Sequence, residues 1–99
     1  LREEPFGPIA PILPFEDEAA MLEQANGLEF GLAAYVFTHD EKRRRRLVDA
    51  LQYGAVGVND AITHRAEAPL GGWKESGIGT EGGAEILAPY QKTKYVGLA

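Results

Sequence analysis

The chain has 99 residues, of which 44% are hydrophobic, so it can bury one small core but not two separate ones. A net charge of −5 argues against a nucleic-acid partner, because binding phosphates requires a clustered excess of Lys and Arg. The sequence contains no cysteine, which excludes disulfides, thiolate metal sites and a cysteine nucleophile within it. No signal peptide and no apolar run long enough to span a membrane is recognised, so we expect a cytoplasmic protein that binds neither membrane nor nucleic acid.

The first predicted elements are an interrupted apolar stretch and a helix. Residues 8–15 are apolar but contain three prolines, so any strand there must lie at a sheet edge or be short. An acidic opening at residues 16–18, followed by apolar residues spaced three and four apart, predicts a helix over residues 16–26. We expect Gly27 to end this helix in the left-handed conformation.

A strand, a helix and a second strand follow. Residues 32–38 form a continuous aromatic and β-branched run, which predicts a strand buried on both faces of a parallel sheet. Asp40 is a candidate cap for a helix over residues 41–53 that ends at Gly54, with Leu47, Val48 and Leu51 on its inner face. Residues 55–59 predict the next strand, so the order indicates βαβ units of an α/β fold.

The run from Arg43 to Arg46 lies on the first turns of the second helix. It is either a patch for phosphate or an acidic partner, or a solvated helix face, and the acidic chain around it favours the solvated face. His39 and His64 lack the spacing of metal ligands, so we predict no metal site.

The remaining sequence is mostly irregular. Residues 60–79 show no period and are rich in glycine, which indicates a long and functional loop. Residues 80–90 predict a weak helix that Pro89 ends, and residues 94–98 are typical of a terminal strand.

Several segments, in order along the chain, resemble the aldehyde dehydrogenase superfamily. They are EEPFGP at 3–8, NGLEFGLAA at 26–34, GVN at 57–59, PLGGWKESG at 69–77, GTEG at 79–82 and KYV at 94–96. Together they cover nearly the whole chain, and the tail is most similar to the succinate-semialdehyde dehydrogenase group. The resemblance implies an α/β fold with parallel βαβ units, forming the C-terminal part of a catalytic domain over residues 1–92.

The same resemblance implies a mechanism whose principal groups are not in this sequence. Enzymes of this family use a cysteine thiolate to attack the aldehyde, transfer a hydride to NAD or NADP, and hydrolyse the thioester with a glutamate as base. Neither those catalytic residues nor the dinucleotide-binding half is recognised here. We therefore expect the chain to be a C-terminal fragment that is inactive alone and binds no cofactor tightly.

Five residues correspond to supporting positions of the family. Glu4 resembles the glutamate that accepts hydrogen bonds from the nicotinamide ribose, and Phe6 resembles the aromatic residue that packs near the nicotinamide. Thr63 and Arg65 lie where semialdehyde-oxidising members contact the distal carboxylate, although exposed loop residues without a ligand are an equal alternative. The resemblance implies that residues 60–73 form a loop that lines the substrate entrance, where Leu70 replaces the usual aromatic residue.

Residues 93–99 correspond to the terminal strand through which family members form oligomers, so we expect a homo-oligomer, with a frayed terminus as the alternative. A noncatalytic module that pairs through this strand is the alternative function. An unrelated small α/β binding domain is disfavoured, because it leaves the ordered motifs unexplained.

Overall fold

The structure is a computed structural model that describes residues 5–99, so Glu4 lies outside the described residues. Its helices and strands, in chain order, are α1 (Glu18–Asn26), β1 (Phe30–Gly31), β2 (Ala33–Val36), α2 (Glu41–Ala50), β3 (Ala55–Val58), β4 (Trp73–Lys74) and a 3-10 helix (Ala84–Tyr90). None of the helices in this part of the chain is long and apolar enough to cross a membrane.

The central unit is a parallel pair of strands connected by a helix. β2 and β3 pair in parallel, with Ala33 opposite Ala55 and Val36 opposite Val58, and α2 connects them. Both strands are shorter than predicted. The expectation that β2 is buried on both faces is wrong, because Tyr35 remains 50% exposed on the face away from α2.

Both α-helices begin at an aspartate. The Asp17 side chain accepts a hydrogen bond from the Ala19 N–H at 2.9 Å, so α1 begins at Glu18 and not at residue 16. The Asp40 carboxylate accepts hydrogen bonds from two N–H groups of the first turn of α2, as its predicted capping role requires. α2 ends at Ala50, several residues before Gly54.

A core of three buried side chains lies between α2 and the parallel strands. Val36, Leu47 and Leu51 are less than a tenth exposed, and half-buried residues of α1 such as Met21 and Leu22 pack against them. Leu47 in α2 and Leu51, which directly follows it, face the core as predicted, because residues four apart are neighbours on a helix. The prediction that Val48 also faces the core is wrong, because Val48 is 36% exposed.

The remaining differences from the predictions lie outside this core. β1 and β4 pair antiparallel, and the sequence indicated neither strand. Residues 8–15 and 91–99 are exposed and form neither helix nor strand in the structure, so the terminal strand is not formed within this chain. Pro89 lies inside the 3-10 helix and does not end it.

Candidate active-site loop

Asn59, which follows β3, forms two hydrogen bonds with Thr38, which lies just after β2. Its side-chain oxygen accepts a hydrogen bond from the Thr38 N–H at 2.9 Å, and its amide group donates to the Thr38 carbonyl at 3.0 Å. Its backbone takes a positive φ of 52°, which turns the chain out of β3 into the long loop. Loops at the carboxyl ends of parallel strands are where α/β proteins place their ligand sites.

The first part of the loop returns over the sheet. The Asp60 carboxylate accepts a hydrogen bond from the Ile62 N–H at 2.9 Å, which makes a tight turn. Thr63 then lies over Gly57, because a Cβ added to Gly57 would be 3.2 Å from the Thr63 methyl group. Arg65 is 63% exposed and only loosely paired, with its guanidinium 3.7 Å from the Asp60 carboxylate.

The second part of the loop is attached by backbone hydrogen bonds. Leu70 and Glu81 exchange two N–H to carbonyl bonds of 2.8 and 2.7 Å, and Gly83 donates to the Ala66 carbonyl at 3.0 Å. Gly54 also fixes the loop, since a Cβ added there would coincide with the Gly71 carbonyl oxygen. The loop is therefore held by main-chain contacts and close glycine packing.

An open groove of about 830 Å³ lies beside this part of the loop. Its lining includes Leu32, Leu70, Ser76, Thr80, Ile86 and Tyr90. Leu70 lines this groove, whereas Thr63 and Arg65 are not among its lining residues. In residues 5–99 no group of three or more His, Cys, Asp or Glu side chains is placed to hold a metal ion.

The described residues do not form a cofactor site by themselves. Phe6 is 97% exposed, so it cannot limit the position of a nicotinamide ring without a further surface to pack against. Its proposed companion Glu4 lies outside the described residues.

The arginine run is an ion-paired, solvated helix face. Arg43 and Arg46 contact Glu18 of α1 at 2.9 and 3.1 Å, and Arg44 and Arg45 contact Glu41 one turn earlier in α2. Each guanidinium thus has a carboxylate partner, which favours the solvated face over a phosphate patch.

Two residues of the WKES stretch have structural roles that sequence reasoning missed. The Lys74 ammonium donates to two carbonyls at the end of α1, and the Ser76 hydroxyl accepts from the Gly31 N–H at 2.9 Å. Their partners are 48 and 45 residues away along the chain, so no local pattern indicates these contacts.

Comparisons with known proteins agree on one family. Residues 1–96 match the model of the aldehyde dehydrogenase family. The chain is 44% identical over its full length to succinate-semialdehyde dehydrogenase of Paenarthrobacter nicotinovorans, of which it covers 22%. It is 47% identical over 96% of its length to the NADP(+) succinate-semialdehyde dehydrogenase of Escherichia coli strain K12, of which it covers 20%.

Solved structures give the same result. Aldehyde dehydrogenase from Brucella melitensis biovar abortus 2308 superposes on 96% of this chain with a TM-score of 0.90 at 44% identity, and 20% of that chain is covered. An NAD+ complex of aldehyde dehydrogenase from Bacillus cereus gives a TM-score of 0.86 at 41% identity over 92% of this chain and 18% of its own. The chain thus spans about a fifth of the length of these relatives. With its sequence matched almost end to end and its α/β fold shared with these enzymes, the chain belongs to the aldehyde dehydrogenase family.

Proposed function

We propose that the chain forms the C-terminal part of the catalytic domain of an NAD(P)-dependent aldehyde dehydrogenase. We propose further that the predicted entrance loop, of which residues 60–72 precede β4, lines the entrance for a semialdehyde. The observation that carries this proposal is 44% to 47% identity, over nearly the whole chain, to enzymes named as succinate-semialdehyde dehydrogenases. The cytoplasm remains the predicted compartment.

The exposed surface of the chain supports a role within a larger assembly. Its accessible area is 8684 Å², whereas a self-contained folded protein of 10.7 kDa exposes roughly 5,500 Å². The excess of roughly 3,000 Å² is several times the area that one partner contributes to a standard interface, about 800 Å². Residues such as Tyr35, Phe37 and Trp73 contribute to it, each at least half exposed. Such a surface is expected of a piece that packs against the remainder of an enzyme.

Arg65 is the strongest candidate for recognising the carboxylate of a semialdehyde. Its guanidinium is mostly exposed, and its 3.7 Å pairing with Asp60 is too long for a hydrogen bond, so its donors remain available to a ligand. Thr63 offers a hydroxyl two residues earlier, and Leu70 presents an apolar side chain to the groove. Leu70 would provide an apolar wall of the groove, and Arg65 and Thr63, which lie outside that groove, a charged and a polar group of the same loop.

The chemistry itself requires groups from outside this chain. None of its 99 residues is a cysteine, so the chain cannot supply the thiolate that attacks the aldehyde before hydride transfer. We therefore expect it to be inactive alone. Glu4 and Phe6 are proposed to border the cofactor ribose and nicotinamide once a larger enzyme surrounds them. The chain's own contribution is the wall of the substrate entrance.

Complementation tests this proposal. The full chain is mixed with the Escherichia coli relative from which the homologous fifth has been removed, and reduction of NADP+ by succinate semialdehyde is followed. We expect turnover by the mixture and by neither component alone. Turnover by the chain alone, or a mixture with no turnover, would contradict the proposal.

A charge-removal pair then tests the substrate class. Arg65→Gln should raise the KM for succinate semialdehyde roughly tenfold or more while leaving an uncharged aldehyde nearly unaffected, because only the former has a carboxylate to pair. Arg45→Gln, another exposed arginine far along the chain, is the matched control. Equal effects of Arg65→Gln on both aldehydes would remove Arg65 from the substrate site.

A second proposal concerns assembly, and the exposure of the terminal segment favours it. Tyr95 is 91% and Leu98 is 94% exposed, although both are apolar. We propose that residues 93–99 become a strand by pairing with another subunit, in a homo-oligomer or as a noncatalytic module. Light scattering should give fewer subunits per particle for a chain that lacks residues 93–99 than for the full chain. An unchanged number of subunits would show that this segment is a frayed terminus.

A further inference from the structure

The end of α1 is a point where three distant segments converge. The last carbonyls of a helix lack partners within it and carry partial negative charge. In α1 the Tyr53 hydroxyl donates to the Ala25 carbonyl at 2.7 Å. The Lys74 ammonium donates to the Asn26 and Leu28 carbonyls at 2.7 and 3.0 Å. A cation from β4 therefore satisfies and neutralises this helix end.

The Lys74 backbone is held in an unfavourable conformation at the same point. Its φ of +55° is in the left-handed region, which residues with a side chain other than Asn and Asp rarely adopt. Such a conformation persists only where surrounding contacts fix it. Its ammonium also lies 6.0 Å from the centre of the Tyr53 ring, a weak additional attraction.

Hydrogen bonds of the two residues that follow Lys74 fix β4 to the residues after α1. The Glu75 N–H donates to the Glu29 carbonyl at 2.9 Å, and the Ser76 hydroxyl accepts from the Gly31 N–H at 2.9 Å. Ser76 also packs against Gly72, where an added Cβ would lie 2.7 Å from its backbone. The position of β4 thus determines the position of the last residues of the 60–72 loop.

We propose that Lys74 is a positioning residue that clamps β4 to the end of α1 and thereby places the 60–72 loop and the groove beside it. The link to aldehyde entry rests on the proposed function, whereas the clamp itself does not. When Lys74 loses its ammonium, β4 detaches together with the adjoining loop residues 71 and 72, while Leu70, paired with Glu81, and the core between α2 and the parallel strands stay in place.

Trp73 provides a direct readout, because it is the only tryptophan of the chain and the immediate neighbour of Lys74. It is 53% exposed in the clamped structure, so full release would raise its accessibility to acrylamide at most about twofold. The variants are Lys74→Met, which removes the charge, Lys74→Arg, which retains it, and Lys92→Met as a control in the exposed terminal segment. We expect stronger quenching in Lys74→Met alone, with far-UV circular dichroism unchanged.

Amide hydrogen exchange separates local release from general unfolding. Lys74→Met should accelerate exchange of the Gly31 and Glu75 amides roughly tenfold, equivalent to about 1.4 kcal/mol, and leave the Asn59 amide, bonded to the Val36 carbonyl, unchanged. The proposal is overturned if Lys74→Met leaves quenching unchanged or accelerates exchange at Asn59 equally. It is also overturned if Lys74→Arg behaves like Lys74→Met. None of these measurements involves an aldehyde or cofactor, so their failure is distinct from failure of the proposed function.

Discussion

Replacing Leu47 by alanine should lower the free energy of unfolding by about 2 kcal/mol, the low end of the range for a buried leucine. Leu47 is 6% exposed and packs with Val36 and Leu51, so its truncation removes a third of the buried core. The low end applies because Leu47 also lines an open groove of about 340 Å³, into which water and neighbouring side chains can move. A sealed cavity would cost more.

Thermal unfolding followed by far-UV circular dichroism measures this effect. For a chain of this length, 2 kcal/mol corresponds to a fall in Tm of about 8–16 °C. Val48→Ala is the matched control, because Val48 is the next residue of α2 but is 36% exposed, and its truncation should cost less than about 1 kcal/mol. Equal losses in the two variants would refute the assignment of the core to one face of α2.

Three further variants test the cap, the loop contact and the interhelical ion pairs. Gly54→Ala should destabilise the chain by about 1–3 kcal/mol, since its Cβ would strike the loop carbonyl, whereas Gly7→Ala, with open space around it, should be neutral in the same urea titration. Hydrogen bonding from the Arg43 and Lys42 N–H groups, the former foremost, lowers the pKa of Asp40. The stability that the Asp40 carboxylate contributes is therefore complete above the ordinary carboxyl pKa of about 3.9 and is lost as pH falls through the lower pKa of the folded chain. In Asp40→Asn the helical circular dichroism signal should depend less on pH in this acid range. Glu18→Gln should lower Tm at low salt but not in concentrated salt, which screens its contacts with the α2 arginines.

The central βαβ unit was predictable because its signals are local. An aspartate before α2, apolar residues four apart within it and β-branched runs on either side each act over a few residues. Membership of the aldehyde dehydrogenase family was also predictable, because short motifs occur in the family's order along the chain. The role of Leu70 at the substrate entrance stays a prediction.

The last residue of α1, Asn26, was predicted correctly, but the backbone conformation that follows it was not, because the contacts at this helix end are not local. Gly27 was expected in the left-handed conformation, yet its φ is −73°. The Gly27 N–H donates to the Gln24 carbonyl without the left-handed conformation, and the next two carbonyls, those of Ala25 and Asn26, accept hydrogen bonds from Tyr53 and Lys74. Those donors follow α1 by tens of residues, so only the folded chain brings them to the helix end. The two-residue strands β1 and β4 escaped notice for the same reason, since their pairing depends on this convergence.

The loop and the core of this chain are stabilised by different kinds of contact, and that difference bears on function. Three buried side chains make a small core, and much of the apolar surface is left exposed. The 60–72 loop does not depend on that surface. It is held by the Leu70–Glu81 backbone pair, by the close approach of Gly54, and through β4 by the Lys74 clamp. Because these contacts are polar or steric and lie within the chain, the loop can keep its shape while the apolar faces pack against other parts of an enzyme.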